Sequence, residues 1–221
     1  MAPLTLYRAN GACSFVAHAL LREVGLDFDS VLMRILPQGF ESVDGTLSRE
    51  DYQKIHPQGY IPCLVDGDVT ITENLAILTY IALHAPKKNL LGGSDLERAQ
   101  VLQWKAWLAS SLHGYGYAMI FRPVRFTDDE AQHEVLVRKG RTVVAGCYDR
   151  IEKHLEGRSF FVGESATTAD FNALIFWYWG RENGFEMEKN YPNYTQLARR
   201  MEQKQSVRDA AKEEGVVLLT A

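Results

Sequence analysis

Apolar and polar positions change their period along the chain, and the change divides it in two. Leu4-Thr5-Leu6-Tyr7 alternates with period two, as a strand with two unlike faces does. Gly11 interrupts the pattern. From Cys13 to Val24 the apolar residues Phe15, Val16, Ala19, Leu20 and Val24 fall at helical spacing, and Gly25 is a stop signal. Val31, Met33 and Ile35 alternate again, so the start of the chain is a βαβ unit with parallel strands and a right-handed crossover. Leu36 to Ser48, with Pro37, Gly39 and Gly45, reads as loop, and Arg49 to Ile55 as a short helix. Cys63-Leu64-Val65 and Val69-Thr70-Ile71 flank Asp66-Gly67-Asp68, an antiparallel hairpin signal. Thr72 is placed to cap a helix from Glu73 to Leu83. Residues 1–85 thus predict the order β-α-β-α-β-β-α.

Residues 86–94 hold two lysines and a Gly-Gly pair and read as a linker. Over 95–221 the period is helical throughout. Ser94 to Glu97 and Thr127 to Glu130 are capping boxes, Ser206 to Asp209 is a looser one, and Pro123 should end or kink the first long helix. Leu136, Val143, Val144, Cys147, Tyr148, Ile151 and Leu155 form the stripe of the next helix, which Gly157 ends. Phe171 to Trp179 is apolar nearly all round, the mark of a helix at the centre of its domain, and Thr167 and Asp170 are spaced to cap it reciprocally. Pro192 suits the first turn of a further helix.

Composition narrows the function classes. With 221 residues, 46% of them hydrophobic, the chain fills one large domain or two modest ones. A net charge of −4 and the lack of a basic run give nucleic acid no electrostatic footing. The longest apolar run, Ala173 to Trp179, is far short of a membrane span, and the N-terminus lacks a signal-peptide pattern. Cys13, Cys63 and Cys147 are odd in number with no Cys-x-x-Cys pair, which points to a reducing, cytoplasmic setting. The histidines lack metal-ligand spacing, so no metal is expected.

Three stretches carry candidate chemistry. Gly11-Ala12-Cys13-Ser14 turns from a strand into a helix, whose unpaired N–H groups and dipole favour negative charge. A thiolate there, of Cys13 or of a ligand, is stabilised and reactive. Equally, Cys13 can be a small buried hydrophobe and Ser14 a cap. His56 to Pro62 leads into a strand. If the Ile61–Pro62 bond is cis, Ile61 can offer its N–H and C=O to an extended ligand; if trans, Pro62 merely protects an edge. Thr72-Glu73-Asn74 opens a helix and suits the α-amino-acid end of a ligand, or is an ordinary N-cap.

In this order, and with the Thr167–Asp170 cap, these stretches resemble the cytosolic glutathione transferases, most closely the bacterial-type beta class, over nearly the whole chain. The resemblance implies a thioredoxin-like glutathione-binding domain followed by an all-α domain. It implies that Ile61 and Pro62 hold the cysteinyl part of glutathione, that Glu73 and Asn74 hold its γ-glutamyl end, and that Cys13 or Ser14 faces its sulfur. His113 is similar to the beta-class histidine that reaches glutathione. An electrophile pocket lined by Arg8, Tyr115, Tyr117, Phe121 and Arg122 is expected, and so is a homodimer. The departures are Asn74 for the usual serine, Gly114 for a common lysine, Arg8 for a tyrosine, and a long Leu36–Ser48 loop. The implied activity is conjugation of the glutathione thiolate to a small hydrophobic electrophile. Thiol–disulfide exchange or isomerisation through Cys13 stays open, as does a non-catalytic ligand-binding module.

Overall fold

The computed structural model describes residues 4–36 and 39–219, so the expected turn residue Pro37 lies outside the described residues. The chain forms two compact units. One comprises the residues up to Leu91 together with the chain from Arg199 onward; the other is Gly92–Ala198.

The first unit is built on β1 (Leu4–Arg8), α1 (Phe15–Val24), β2 (Phe28–Leu36), β3 (Gly39–Ser42), α2 (Arg49–Ile55), β4 (Cys63–Asp66), β5 (Val69–Ile71) and α3 (Asn74–Leu83). The strands form one sheet in the order β3-β2-β1-β4-β5. β1 and β2 are parallel, with Leu6 opposite Ser30, and every other pair is antiparallel. Leu6, Leu64, Phe15, Leu20, Ile77 and Ile81 are buried where α1 and α3 cover the sheet. On the far side Met33, Phe40, Tyr52 and Cys63 form a second cluster, joined by Tyr7 and Ile61.

Two expectations need correction here. The Leu36–Ser48 loop contains β3, which pairs with β2 through Ile35 opposite Phe40. A four-residue strand with one deeply buried apolar anchor, Phe40, has too little alternation to announce itself. Thr72 does not cap α3. The N-cap is Glu73, held at φ 64° and ψ 119°, with no side-chain cap bond.

The second unit contains α4 (Asp95–Trp107), a π-helical stretch Leu108–Tyr117, α5 (Ala118–Phe121), α6 (His133–Leu155), α7 (Thr168–Glu182), α8 (Met187–Asn190) and the start of α9 (Pro192–Glu202). Ser94 caps α4 by accepting from Glu97 N–H, and the chain leaves α5 just before Pro123. α7 is buried along every residue from Thr168 to Gly180. Its start is a full capping box. Thr167 Oγ1 takes Ala169 N–H, and Asp170 takes Thr167 N–H at 2.7 Å and Phe161 N–H at 2.8 Å.

The π-helical stretch departs from the single helix that periodicity implies. Three glycines explain why it fits. A Cβ on Gly114 would meet Ala109 O at 3.0 Å, one on Gly116 would meet Val144 Cγ2 at 2.8 Å, and one on Gly140 would meet Gly116 O at 2.9 Å. The wide coil and α6 therefore touch almost backbone to backbone.

The last helix, α10 (Gln205–Glu214), belongs to the first unit, whereas the sequence assigned all of 95–221 to the helical domain. It buries Val207, Ala210 and Ala211 and packs on α1. Its cap also differs from expectation. Lys204 is the N-cap residue, and Ser206 Oγ instead donates to Glu23 at 2.6 Å.

Candidate active site

The turn between β1 and α1 is fixed from several sides. Gly11 sits at φ +63°, a left-handed conformation with no Cβ to resist it. Ala12 N–H bonds back to Ala9 C=O, and Phe15 N–H to Ala12 C=O. Ser14 is fully buried, and its hydroxyl accepts from Ala9 N–H and donates to Ala9 C=O, both at 3.1 Å. Both bonds hold the hydroxyl within the turn. Cys13 lies on the other side. Its thiol donates to Ile61 C=O at 3.6 Å, and its own C=O accepts from Asn74 Nδ2 at 3.1 Å.

Three stretches far apart in sequence therefore meet at Cys13. The Ile61–Pro62 bond is cis. Tyr52 Oη donates to Tyr60 C=O at 2.6 Å and fixes the segment leading into it. Among the described residues no hydrogen bond is made by Ile61 N–H. Glu73 is exposed and holds a positive φ, which costs a non-glycine residue roughly 1–3 kcal/mol. That conformation turns the chain into α3 while Glu73 C=O accepts from Ala76 and Ile77 N–H. Beside it, His56 is buried between Tyr52 and Tyr60. Burial lowers its pKa, and the Glu73 carboxylate opposes that shift.

Arg8 is buried and pairs with Glu213 at 2.6 Å, so it does not line an open pocket. Tyr117 is fully buried in the helical unit, where its hydroxyl meets that of Tyr148, which in turn donates to Phe176 C=O at 2.6 Å. It is a core residue. The spacing that suggested a pocket is also the spacing of a core stripe. Tyr115 and Phe121 are exposed at 48% and 47%, and Arg122 is half-buried. His113 packs against Phe176 and Trp179, with ring centroids at 5.7 and 5.4 Å. Burial, and then the charge of Arg125, bring its pKa down to about 4, so the ring is neutral at physiological pH.

Known proteins are similar to this chain in sequence and fold. The family described as glutathione S-transferase, N-terminal domain, matches residues 2–83, and its C-terminal-domain counterpart matches 115–205. The glutathione S-transferase GST-4.5 of Xanthomonas campestris pv. campestris is 30% identical over 83% of this chain and 86% of its own. The chain belongs to the glutathione S-transferase family.

Solved transferases agree in fold. A sphingomonad glutathione S-transferase complexed with glutathione is 30% identical, with a TM-score of 0.81 over 96% of this chain and 100% of its own. A bacterial beta-class transferase from Sphingomonas chungbukensis is 29% identical, with a TM-score of 0.82 over the same shares. The present chain is accordingly a transferase with the two-part glutathione transferase fold. Sequence reasoning missed the residues of this transferase that fasten the Gly11–Ser14 turn from behind. Gly11 N–H donates to Glu214 at 2.9 Å, and Glu214 also takes His18 Nδ1 at 2.8 Å. His18, buried on the face of α1, was a signal that went unused.

Proposed function

We propose that this transferase binds glutathione at the meeting of Cys13, Ile61–Pro62 and Glu73–Asn74, and directs the glutathione thiolate at a small hydrophobic electrophile. The observation that carries this reading is the pair of bonds at Cys13, from its thiol to Ile61 C=O and from Asn74 to its carbonyl. Ile61 N–H is a donor for an extended peptide ligand laid alongside it. The start of α3 supplies backbone donors for a carboxylate, and the Glu73 carboxylate suits an ammonium group. The start of α1 stabilises an anionic sulfur near Cys13, so ionisation and orientation of the nucleophile are supplied together. Tyr115, Phe121 and Arg122 remain candidates for contact with the electrophile. The resemblance also supports a homodimer and a cytoplasmic setting, and sedimentation analysis tests the first.

The environment of Ser14 favours a second reading. With that hydroxyl committed to Ala9, the side chain left to face a ligand sulfur is the thiol of Cys13. A Cys13 thiolate attacking the glutathione sulfur of a mixed disulfide would form a Cys13–glutathione disulfide and release the other thiol as thiolate. Assays of Cys13→Ala separate the two. Conjugation of glutathione to an aryl halide that persists within about threefold, with disulfide exchange lost, assigns conjugation to the bound glutathione thiolate and exchange to Cys13. If the wild type turns over neither electrophiles nor disulfides, the catalytic proposal fails.

A further inference from the structure

We propose that Glu214, on the last turn of the C-terminal helix, is a positioning residue for the Cys13 turn; the inference rests on the glutathione-site reading given above. Its side chain is fully buried and accepts from the two sides of the turn it serves. One donor is Gly11 N–H at 2.9 Å, in the loop itself. The other is His18 Nδ1 at 2.8 Å, one turn into the helix that the loop opens. Arg22 Nε donates to His18 Nε2 at 3.0 Å, which leaves the proton on Nδ1 and aims it at Glu214. Arg8 Nη1 stands 3.9 Å from the same carboxylate and balances its charge.

The chemistry of this acceptor is specific. A carboxylate has only acceptor sites, and here it faces two N–H donors. An amide in its place would turn an NH2 group toward one of them. The loop has its other fixed points at Ser14, through Ala9, and at Asn74, through the Cys13 carbonyl. Glu214 supplies the fixed point at Gly11, the residue whose left-handed φ sets the direction in which Cys13 leaves the turn. Charge-assisted bonds to a buried carboxylate are the strong kind, so this contact has the strength to set geometry. Glu213, its neighbour, provides an internal contrast. It pairs with Arg8 and Arg22 and makes no bond to the turn's backbone.

Steady-state kinetics on Glu214→Gln and Glu213→Gln, with glutathione and a nitroaryl chloride, test the assignment. Glu214→Gln should lower kcat about tenfold or more while the glutathione KM moves less than threefold, because misplacing a reacting group by about an ångström costs up to a hundredfold. Glu213→Gln should move both constants less than threefold. A Glu214→Gln kcat within threefold of wild type, or equal losses in the two variants, overturns the proposal. Absence of wild-type turnover would count against the functional reading alone. In that case the rate of Cys13 alkylation by iodoacetamide decides: a change in Glu214→Gln and none in Glu213→Gln supports positioning, and unchanged rates refute it. Should Glu214→Gln fail to fold, amide exchange in the 15N-labelled wild type answers. Gly11 N–H should be as protected as the core of α1, and exchange at an open-loop rate contradicts the assignment.

Discussion

Ser14 and Cys13 are adjacent in sequence, and α1 begins at the next residue, yet their side chains do different work. Ser14 Oγ closes the turn onto Ala9, while Cys13 Sγ points at Ile61. Helix-start chemistry made both candidates, and their burial was not readable because it depends on which way the turn winds. Removing the Ser14 hydroxyl strands the buried N–H of Ala9, whose C=O keeps Ala12 N–H, so Ser14→Ala should cost about 1–3 kcal/mol in urea unfolding. A larger effect on turnover than on stability would contradict the structural role. His113 gives a second residue-scale prediction. Its folded pKa of about 4 lies below the unfolded value of about 6.5. The neutral ring is therefore favoured above pH 6.5, and that stability is lost as pH falls from 6.5 toward 4. The full shift is worth about 3 kcal/mol, and less after screening of the partly exposed ring. His113→Phe should flatten the decline in unfolding free energy between pH 7 and 4.5, and an unchanged slope would contradict it.

Among the elements, those with their own periodicity or turn chemistry were legible: α1 with its Gly25 stop, α2, the β4–β5 hairpin, and α7 with its capping box. What escaped depends on partners distant in sequence. β3 is held by β2 and by burial of Phe40, and the π-helical stretch by α6 lying against Gly116. Thr167→Ala breaks the capping box and should cost about 1–2 kcal/mol in thermal or urea unfolding. Gly140→Ala places a Cβ 2.9 Å from Gly116 O and Met119 Cβ. Overpacking of this kind costs about 1–3 kcal/mol. A Gly140→Ala protein as stable as wild type would mean that the two helices can part freely.

At the scale of the whole molecule, the change of period at the linker announced two parts, and the chain divides at Leu91 and Gly92. The return of the chain from Arg199 to the first unit was not legible. An amphipathic helix such as α10 shows that it has a partner but not which one. The ion pairs of Glu213 with Arg8 and Arg22, and the hydrogen bond between Glu214 and His18, decide that partner. Of the site, the three stretches were found by residue type and order, and their convergence on Cys13 only by structure. Truncation before Gln205 should uncover α1 and abolish a cooperative thermal transition of the first unit by circular dichroism; a native-like melt would contradict its place there.

Titration calorimetry of the intact protein with reduced glutathione tests the central claim most directly. Saturable binding at or below millimolar glutathione, weakened at least tenfold in an Asn74→Ala variant that folds normally, is the predicted result. No heat of binding at millimolar glutathione in the folded wild type would contradict it.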